Sequence, residues 1–272
     1  MAERHFGKLI AARWAEGKFV CVGLDPVYAE IRHLVTNFND IGDAMMEFNR
    51  KIVAATRGLV CAYKHNPAFY ARHGVEGVQT LYSTIAMIQE TAPQVPVILD
   101  GKFADIANSS QGYAEMAFAC FKADAVTVNP YLGRDSLQPF LDHPEKGIFV
   151  LVRTSNPGAG EIQDLTARRT THFYPVWEII AGKVADDWNS NSNCGVVCGA
   201  TAPEELARIR EIVRDQPILI PGIGAQGGDL EAVVKAARRN FIINSSRGII
   251  YAEDPRRAVE KLNTQITKYL AA

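Results

Sequence analysis

Short apolar runs recur along this chain, each followed by a longer stretch with helical spacing. The runs are Phe19–Leu24, Leu59–Tyr63, Val95–Leu99, Ala125–Val128, Ile148–Val152, Gly195–Cys198, Ile218–Ile220 and Phe241–Ile243. They are rich in Val, Ile and Leu and do not alternate cleanly with polar residues, which predicts strands covered on both faces, as in a parallel sheet. Helical periodicity fills the intervals: from Ile41 after the cap candidates Asn39 and Asp40, Val75 to Thr91 closed by Pro93, Ser109 to Lys122, Tyr174 to Trp188, Asp229 to Arg239, and Pro255 to Ala271. Thr201-Ala202-Pro203-Glu204-Glu205 has the order of a helix start, with a cap, a first-turn proline and an acidic first turn. Eight strands alternating with helices predict an α/β fold, a (β/α)8 (TIM) barrel, as a single catalytic domain over residues 1–272. A doubly wound open sheet is the alternative. No composition shift or internal repeat marks a domain boundary, and barrels of this kind use about 250 residues. Thr154–Gln163, with Gly158 and Gly160 beside Pro157, is expected to be a long mobile loop.

Composition narrows the class. With 47% hydrophobic and 22% charged residues the chain is an ordinary globular one. A net charge of −1 gives no global attraction to nucleic acid or to acidic membranes. No apolar run approaches the roughly 18 residues of a membrane span, and the first residues lack a secretory pattern. The cysteines Cys21, Cys61, Cys120, Cys194 and Cys198 are odd in number and mostly sit in strand-like runs. They are read as reduced core residues of a cytoplasmic protein. Cys194 and Cys198 have no second Cys/His pair at metal spacing, so no metal site is expected.

Candidate chemistry gathers at the carboxyl ends of the predicted strands, where barrels of this class carry their sites. The densest stretch is Leu99-Asp100-Gly101-Lys102-Phe103-Ala104-Asp105-Ile106, with two carboxylates around one lysine at the end of an apolar run. Charged side chains are rarely buried unless paired, so the alternation suggests a built site. Asp25, Lys64, Asn129 and Arg153-Thr154-Ser155 follow other strands. Gly222-Ile223-Gly224-Ala225-Gln226 and Asn244-Ser245-Ser246-Arg247-Gly248 follow the last two. Small residues there admit a ligand close to the backbone amides, and with a helix start they form an anion site. Arg247 can grip phosphate oxygens through two N–H groups and Gln226 can donate as a neutral partner. His65 is read as a packing or loop residue, Trp177 and Trp188 as core or interface, and Arg134 is left without a role.

These segments together resemble the orotidine 5′-phosphate decarboxylase family, in its longer bacterial branch. The resemblance is carried by Gly23-Leu24-Asp25-Pro26, Tyr63-Lys64-His65-Asn66-Pro67, Leu99 to Ile106, Val128-Asn129-Pro130-Tyr131-Leu132-Gly133, Arg153 to Gly158, Pro221 to Asp229 and Asn244-Ser245-Ser246-Arg247. It implies cofactor-free decarboxylation of orotidine 5′-phosphate to UMP and CO2 in pyrimidine biosynthesis. Lys102 would protonate C6 of the pyrimidine, Asp100 would lie beside the substrate carboxylate, and Lys64 would contact the ribose and pair with Asp100. Asp25 would bond a ribose hydroxyl, Ser155 the pyrimidine, and Gln226 and Arg247 the phosphate. It further implies a homodimer with shared sites, in which Asp105 and Ser109 enter the partner's site. Ser109 stands where most members have threonine, and Ala107 replaces a common glycine. A magnesium-dependent sugar-phosphate aldolase or synthase sharing the Asp-x-Lys-x-x-Asp motif is a competing expectation, as is an inactive phosphate-binding barrel.

Overall fold

The computed structural model describes residues 4–36, 38–169, 171–223 and 228–271. Its strands are β1 (Val20–Gly23), β2 (Ala62–His65), β3 (Val97–Phe103), β4 (Ala125–Val128), β5 (Gly147–Arg153), β6 (Thr166–Arg169), β7 (His172–Pro175), β8 (Cys194–Cys198), β9 (Ile218–Pro221) and β10 (Phe241–Ser245). Eight of them close into a barrel in the order β1-β10-β9-β8-β5-β4-β3-β2. Every pairing in it is parallel, and β1 completes the circle by pairing with both β2 and β10. The predicted (β/α)8 barrel is therefore the fold, and each of the eight apolar runs supplies one of its strands. Helices on the outside, such as Ile41–Thr56, Gly74–Thr91 and Pro203–Val213, link successive strands.

The absence of polar alternation in the strands follows from this topology. Outward residues such as Val20, Val22, Leu99 and Ile243 pack under the helices in the larger core. Inward residues fill the barrel, among them Cys21, Ile98, Ala125, Phe149, Leu219 and Ile242. Bulk and space are matched across the interior: a Cβ on Gly195 would stand 2.8 Å from the Phe149 ring, so the glycine makes room for the phenylalanine.

The amino-terminal helix Phe6–Ala15 stops the bottom of the barrel. Phe6 and Ile10 join the interior cluster, with the Phe6 ring edge-on to Phe149 at 5.6 Å. The helix is also tied by polar contacts to strand beginnings. Buried Arg13 donates to the Val60 carbonyl at 2.7 and 2.9 Å, and Trp14 Nε1 donates to the Phe241 carbonyl at 2.9 Å. Just ahead of it, Arg4 makes a two-pronged bond to Asp124, both contacts at 2.8 Å. The bottom of the barrel is thereby closed, and the open mouth is the end where the charged residues lie.

Several local expectations change. The helix expected from Tyr174 begins at Val176, because Tyr174 belongs to the antiparallel hairpin β6–β7 between β5 and the next barrel strand. The helix Ala107–Glu115 loosens into a π turn over Met116–Cys120. That leaves Cys120 exposed, while the other four cysteines are buried as read. Asp40 caps its helix by accepting from the Asp43 amide at 2.7 Å, but Thr201 caps nothing: Ala202 takes that position. Trp177 and Trp188 are core residues. Among the described residues no helix is long and apolar enough to cross a membrane.

Candidate active site

The strand β3 runs on past its apolar half, so Asp100, Gly101 and Lys102 lie within it rather than after it. Its register against β4 jumps from Leu99↔Val126 to Phe103↔Val128, four residues against two. This bulge carries Lys102 in a left-handed conformation, φ +51°. For a residue with a side chain that costs on the order of 1 kcal/mol, and strain of this kind gathers at working sites. Gly101 is required here because the Phe103 ring occupies the space a Cβ would need.

The result is a shared carboxylate. Asp100 Oδ2 accepts from Lys64 Nζ at 2.7 Å, and Oδ1 accepts from Lys102 Nζ and Thr127 Oγ1, each at 2.8 Å. Lys64, buried at the end of β2, also lies 3.8 Å from Asp25 Oδ2. Asp25 is fixed in turn by the Asn66 amide at 2.9 Å and the Ser246 hydroxyl at 3.1 Å. Burial alone would push the Lys64 ammonium toward neutrality, but Asp100 and Asp25 outweigh it and hold its pKa above the ordinary lysine range. Burial would likewise push Asp100 up, but Lys64 and Lys102 outweigh it and hold its carboxyl well below the usual range. Lys64 and Asp100 are thus both charged at neutral pH, and the desolvation of each is offset by the other.

Lys64, Asp100 and Lys102 line a cavity of about 720 Å3 with Asn129, Tyr131, Thr154, Ser155 and Gln163. Leu151, Ile162, Val176 and Ile180 give it an apolar wall. Its size and its mixture of apolar surface with few polar groups suit a ligand of several rings and substituents. The segment after β5 folds back on its own base in two short helices, Pro157–Ala159 and Gly160–Gln163. Gln163 clasps Thr154, accepting from its amide at 3.0 Å and donating to its hydroxyl at 2.8 Å. Arg153 bridges Asp164 at 2.8 Å and Glu205 at 3.5 Å.

The predicted residues thus divide. Asp25, Lys64, Asp100 and Lys102 form one cluster, and Ser155 lines the same cavity. Asp105 does not join them: its Oδ1 accepts from the adjacent Ile106 amide at 2.7 Å. Ser109 is exposed on the helix that follows. Ala107, at the start of that helix, has φ +46°, a conformation that favours glycine. Arg247 is exposed at the start of the short helix Arg247–Ile250. Gln226 lies outside the described residues, together with Gly224 and Ala225; of the loops expected to bind the anion, Gly222, with φ +107°, Ile223 and Asn244 to Gly248 are described. Three contributors had no role from the sequence: Asn66 and Ser246, which stand inside the motifs that carry the resemblance, and Thr127, which is in none of them. Thr127 had a signal, being the one polar residue in β4.

His65 packs away from the cavity, as read. Its Nδ1 is 3.3 Å from the Tyr70 hydroxyl and its Nε2 has no partner among the described residues. Burial, assisted by Lys64, lowers its pKa to about 3. Its folded-state pKa is therefore below the unfolded value of about 6.5. As pH falls through that interval the unfolded chain gains a proton that the folded one does not, and stability drops by up to about 1.4 kcal/mol per pH unit. Urea unfolding between pH 6.5 and 4.5 should show this slope, and His65→Gln should flatten it. An unchanged slope in the variant would remove His65 as its source.

A parallel barrel with paired lysines and aspartates at the carboxyl ends of its strands defines an enzyme of the (β/α)8 class. Residues 18–262 match the family model described as orotidine 5′-phosphate decarboxylase / HUMPS. The chain is 46% identical over 252 residues to an orotidine 5′-phosphate decarboxylase of Ralstonia nicotianae, covering 91% of this chain and 90% of that one. Among solved structures it is similar to the OMP decarboxylase of Leishmania donovani, with a TM-score of 0.86 and 35% identity over 98% of this chain and 99% of that one. It is also similar to UMP synthase from the same organism, with a TM-score of 0.88 and 36% identity, covering 99% of this chain and 57% of the longer one. The chain belongs to the orotidine 5′-phosphate decarboxylase family and is a decarboxylase.

Proposed function

We propose that this enzyme converts orotidine 5′-phosphate to UMP and CO2, without a cofactor, as a homodimer with shared sites. The observation that carries the reading is the Asp100 carboxylate held between Lys64 and Lys102 in the wall of the cavity. The C6–carboxylate bond breaks and its electron pair stays on C6, in the ring plane, where the ring π system cannot delocalise it. The chemistry then needs fixed charge rather than resonance. Lys102 Nζ is a cation where that negative charge develops, and it delivers the proton to C6 as CO2 departs. Solvent reprotonates the lysine. Asp100, ionised and pinned by two lysines, faces the substrate carboxylate, and that repulsion is relieved as CO2 leaves.

The other groups bind. Asp25 and Lys64 hold the ribose, Ser155 the pyrimidine, and Gln226 with Arg247 the phosphate. Phosphate binding supplies remote interaction energy that favours closure of the segment after β5. Asp105 and Ser109 serve the neighbouring subunit's cavity. Support for this arrangement is that Asp105 bonds within its own loop, to the Ile106 amide, and that Ile106 beside it, with Tyr113, Tyr131 and Leu132, presents an exposed apolar side chain. Such a surface is suited to being covered.

Ultraviolet spectrophotometry of purified protein with orotidine 5′-phosphate tests the reaction directly. Loss of the orotidylate absorbance with formation of UMP is expected, unchanged by EDTA. A folded dimer that leaves the substrate intact overturns the reading. Loss of activity with EDTA would instead favour a metal-dependent relative of the same motif.

A further inference from the structure

We infer that Thr127 is a positioning residue of this site, setting the geometry of both Asp100 and Lys102 through one hydroxyl; the inference rests on the decarboxylase reading above. Thr127 is buried on β4 and is not among the residues that line the cavity. Its Oγ1 donates to Asp100 Oδ1 at 2.8 Å and accepts from the Lys102 backbone N–H at 3.0 Å. Both contacts fall where the β3–β4 ladder is interrupted. Between Leu99↔Val126 and Phe103↔Val128 the extra residues of β3 find no regular partner on β4, and the threonine hydroxyl stands in for one.

The two bonds act on different parts of the chemistry. The bond to Lys102 N holds the backbone of a residue in left-handed conformation, φ +51°, which would otherwise relax toward an ordinary strand conformation. The bond to Asp100 Oδ1 completes the set of donors around the carboxylate. Lys64 holds one oxygen; on the other oxygen Thr127 joins Lys102. The Lys102 ammonium itself is half exposed, so packing does not fix it, and its aim is set by its backbone and by Asp100. Removing the hydroxyl loosens both constraints together. Small errors in the placement of a proton donor are costly, whereas the groups that bind ribose, ring and phosphate stay where they are.

The predicted signature is a loss in kcat with KM preserved. Thr127→Val keeps the shape and removes the hydroxyl. It should lower kcat by about 10- to 100-fold with KM for orotidine 5′-phosphate and affinity for UMP within about threefold. Thr127→Ser restores the hydroxyl and should recover most of the turnover. Should the valine variant fail to fold, Thr127→Ala is compared with Thr127→Ser, a pair that differs by the hydroxyl alone. A folded valine or alanine variant with kcat within threefold of the wild type overturns the inference. So does a serine variant no better than valine or alanine, a parallel rise in KM, or failure of both hydroxyl-less variants to fold, which would make the role structural. Wild-type protein with no turnover would refute the decarboxylase reading, while active wild type beside an unaffected variant refutes only the role of Thr127.

Discussion

Lys102→Ala should lose nearly all turnover, a fall in kcat on the order of 10⁴-fold, and still bind UMP. Two effects are removed at once: a positioned proton donor, worth about 10²–10⁴, and a cation at the developing carbanion, worth about 10²–10³. They are carried by one nitrogen and do not multiply fully, so the estimate stays near the upper single value. The fold should be spared. The Lys102 side chain is 44% exposed, it fills no core space, and Asp100 keeps Lys64 and Thr127 as partners. Stopped-assay turnover and calorimetric titration with UMP on the same preparation separate the two outcomes. Turnover above about 1% of wild type would remove Lys102 as the proton donor.

Mixing two inactive variants should restore activity. Asp105→Ala should be as silent as Lys102→Ala if Asp105 completes the partner's site. In a mixed dimer one site then has both lesions and the other has neither. Random pairing of equal amounts makes half of the dimers mixed, so recovery to about one quarter of wild-type activity is expected from the twofold symmetry. Co-expression with two different affinity tags isolates the mixed species, whose activity should be about half that of wild type. If the mixture only averages its parents, each site is built within one chain and the shared-site proposal fails.

The sequence reveals the parts of this molecule whose cause is burial. Each of the eight barrel strands contains an apolar run because both faces of the sheet are covered, and those runs reveal them. The hairpin β6–β7 is invisible to the same reasoning. Thr166-Ala167-Arg168 and His172-Phe173 are mostly exposed, so no apolar run forms. The bulge in β3 is also hidden, since it follows from the Phe103 ring and the Thr127 hydroxyl rather than from any periodicity. Thr201 has a capping side chain in a plausible position, yet the proline at the first turn sets the helix start one residue later. For the site, charged residues at strand ends bring Asp25, Lys64, Asp100 and Lys102 into view from sequence. The same charged run draws in Asp105, but its assignment to the partner's site, and any role for Ser109, come only from the family resemblance, because nothing local distinguishes Ser109 from a surface polar residue. Thr127 was passed over because a threonine in a strand is ordinary.

The helix that stops the bottom of the barrel has a temporal consequence. It leaves the ribosome before the strands it docks against, yet it and Arg4 just ahead of it bind Asp124 before β4, Phe149 in β5 and the Phe241 carbonyl at the head of the last strand. Its contacts reach across up to 227 residues. Long-range closures of this kind are slow to form, and nascent chains leave their early segments waiting for later ones. A helix synthesised before every strand of the barrel is therefore among the last elements to dock. Until it does, the barrel interior is open at its base, and the apolar faces of Phe6 and Ile10 await the strands that will cover them.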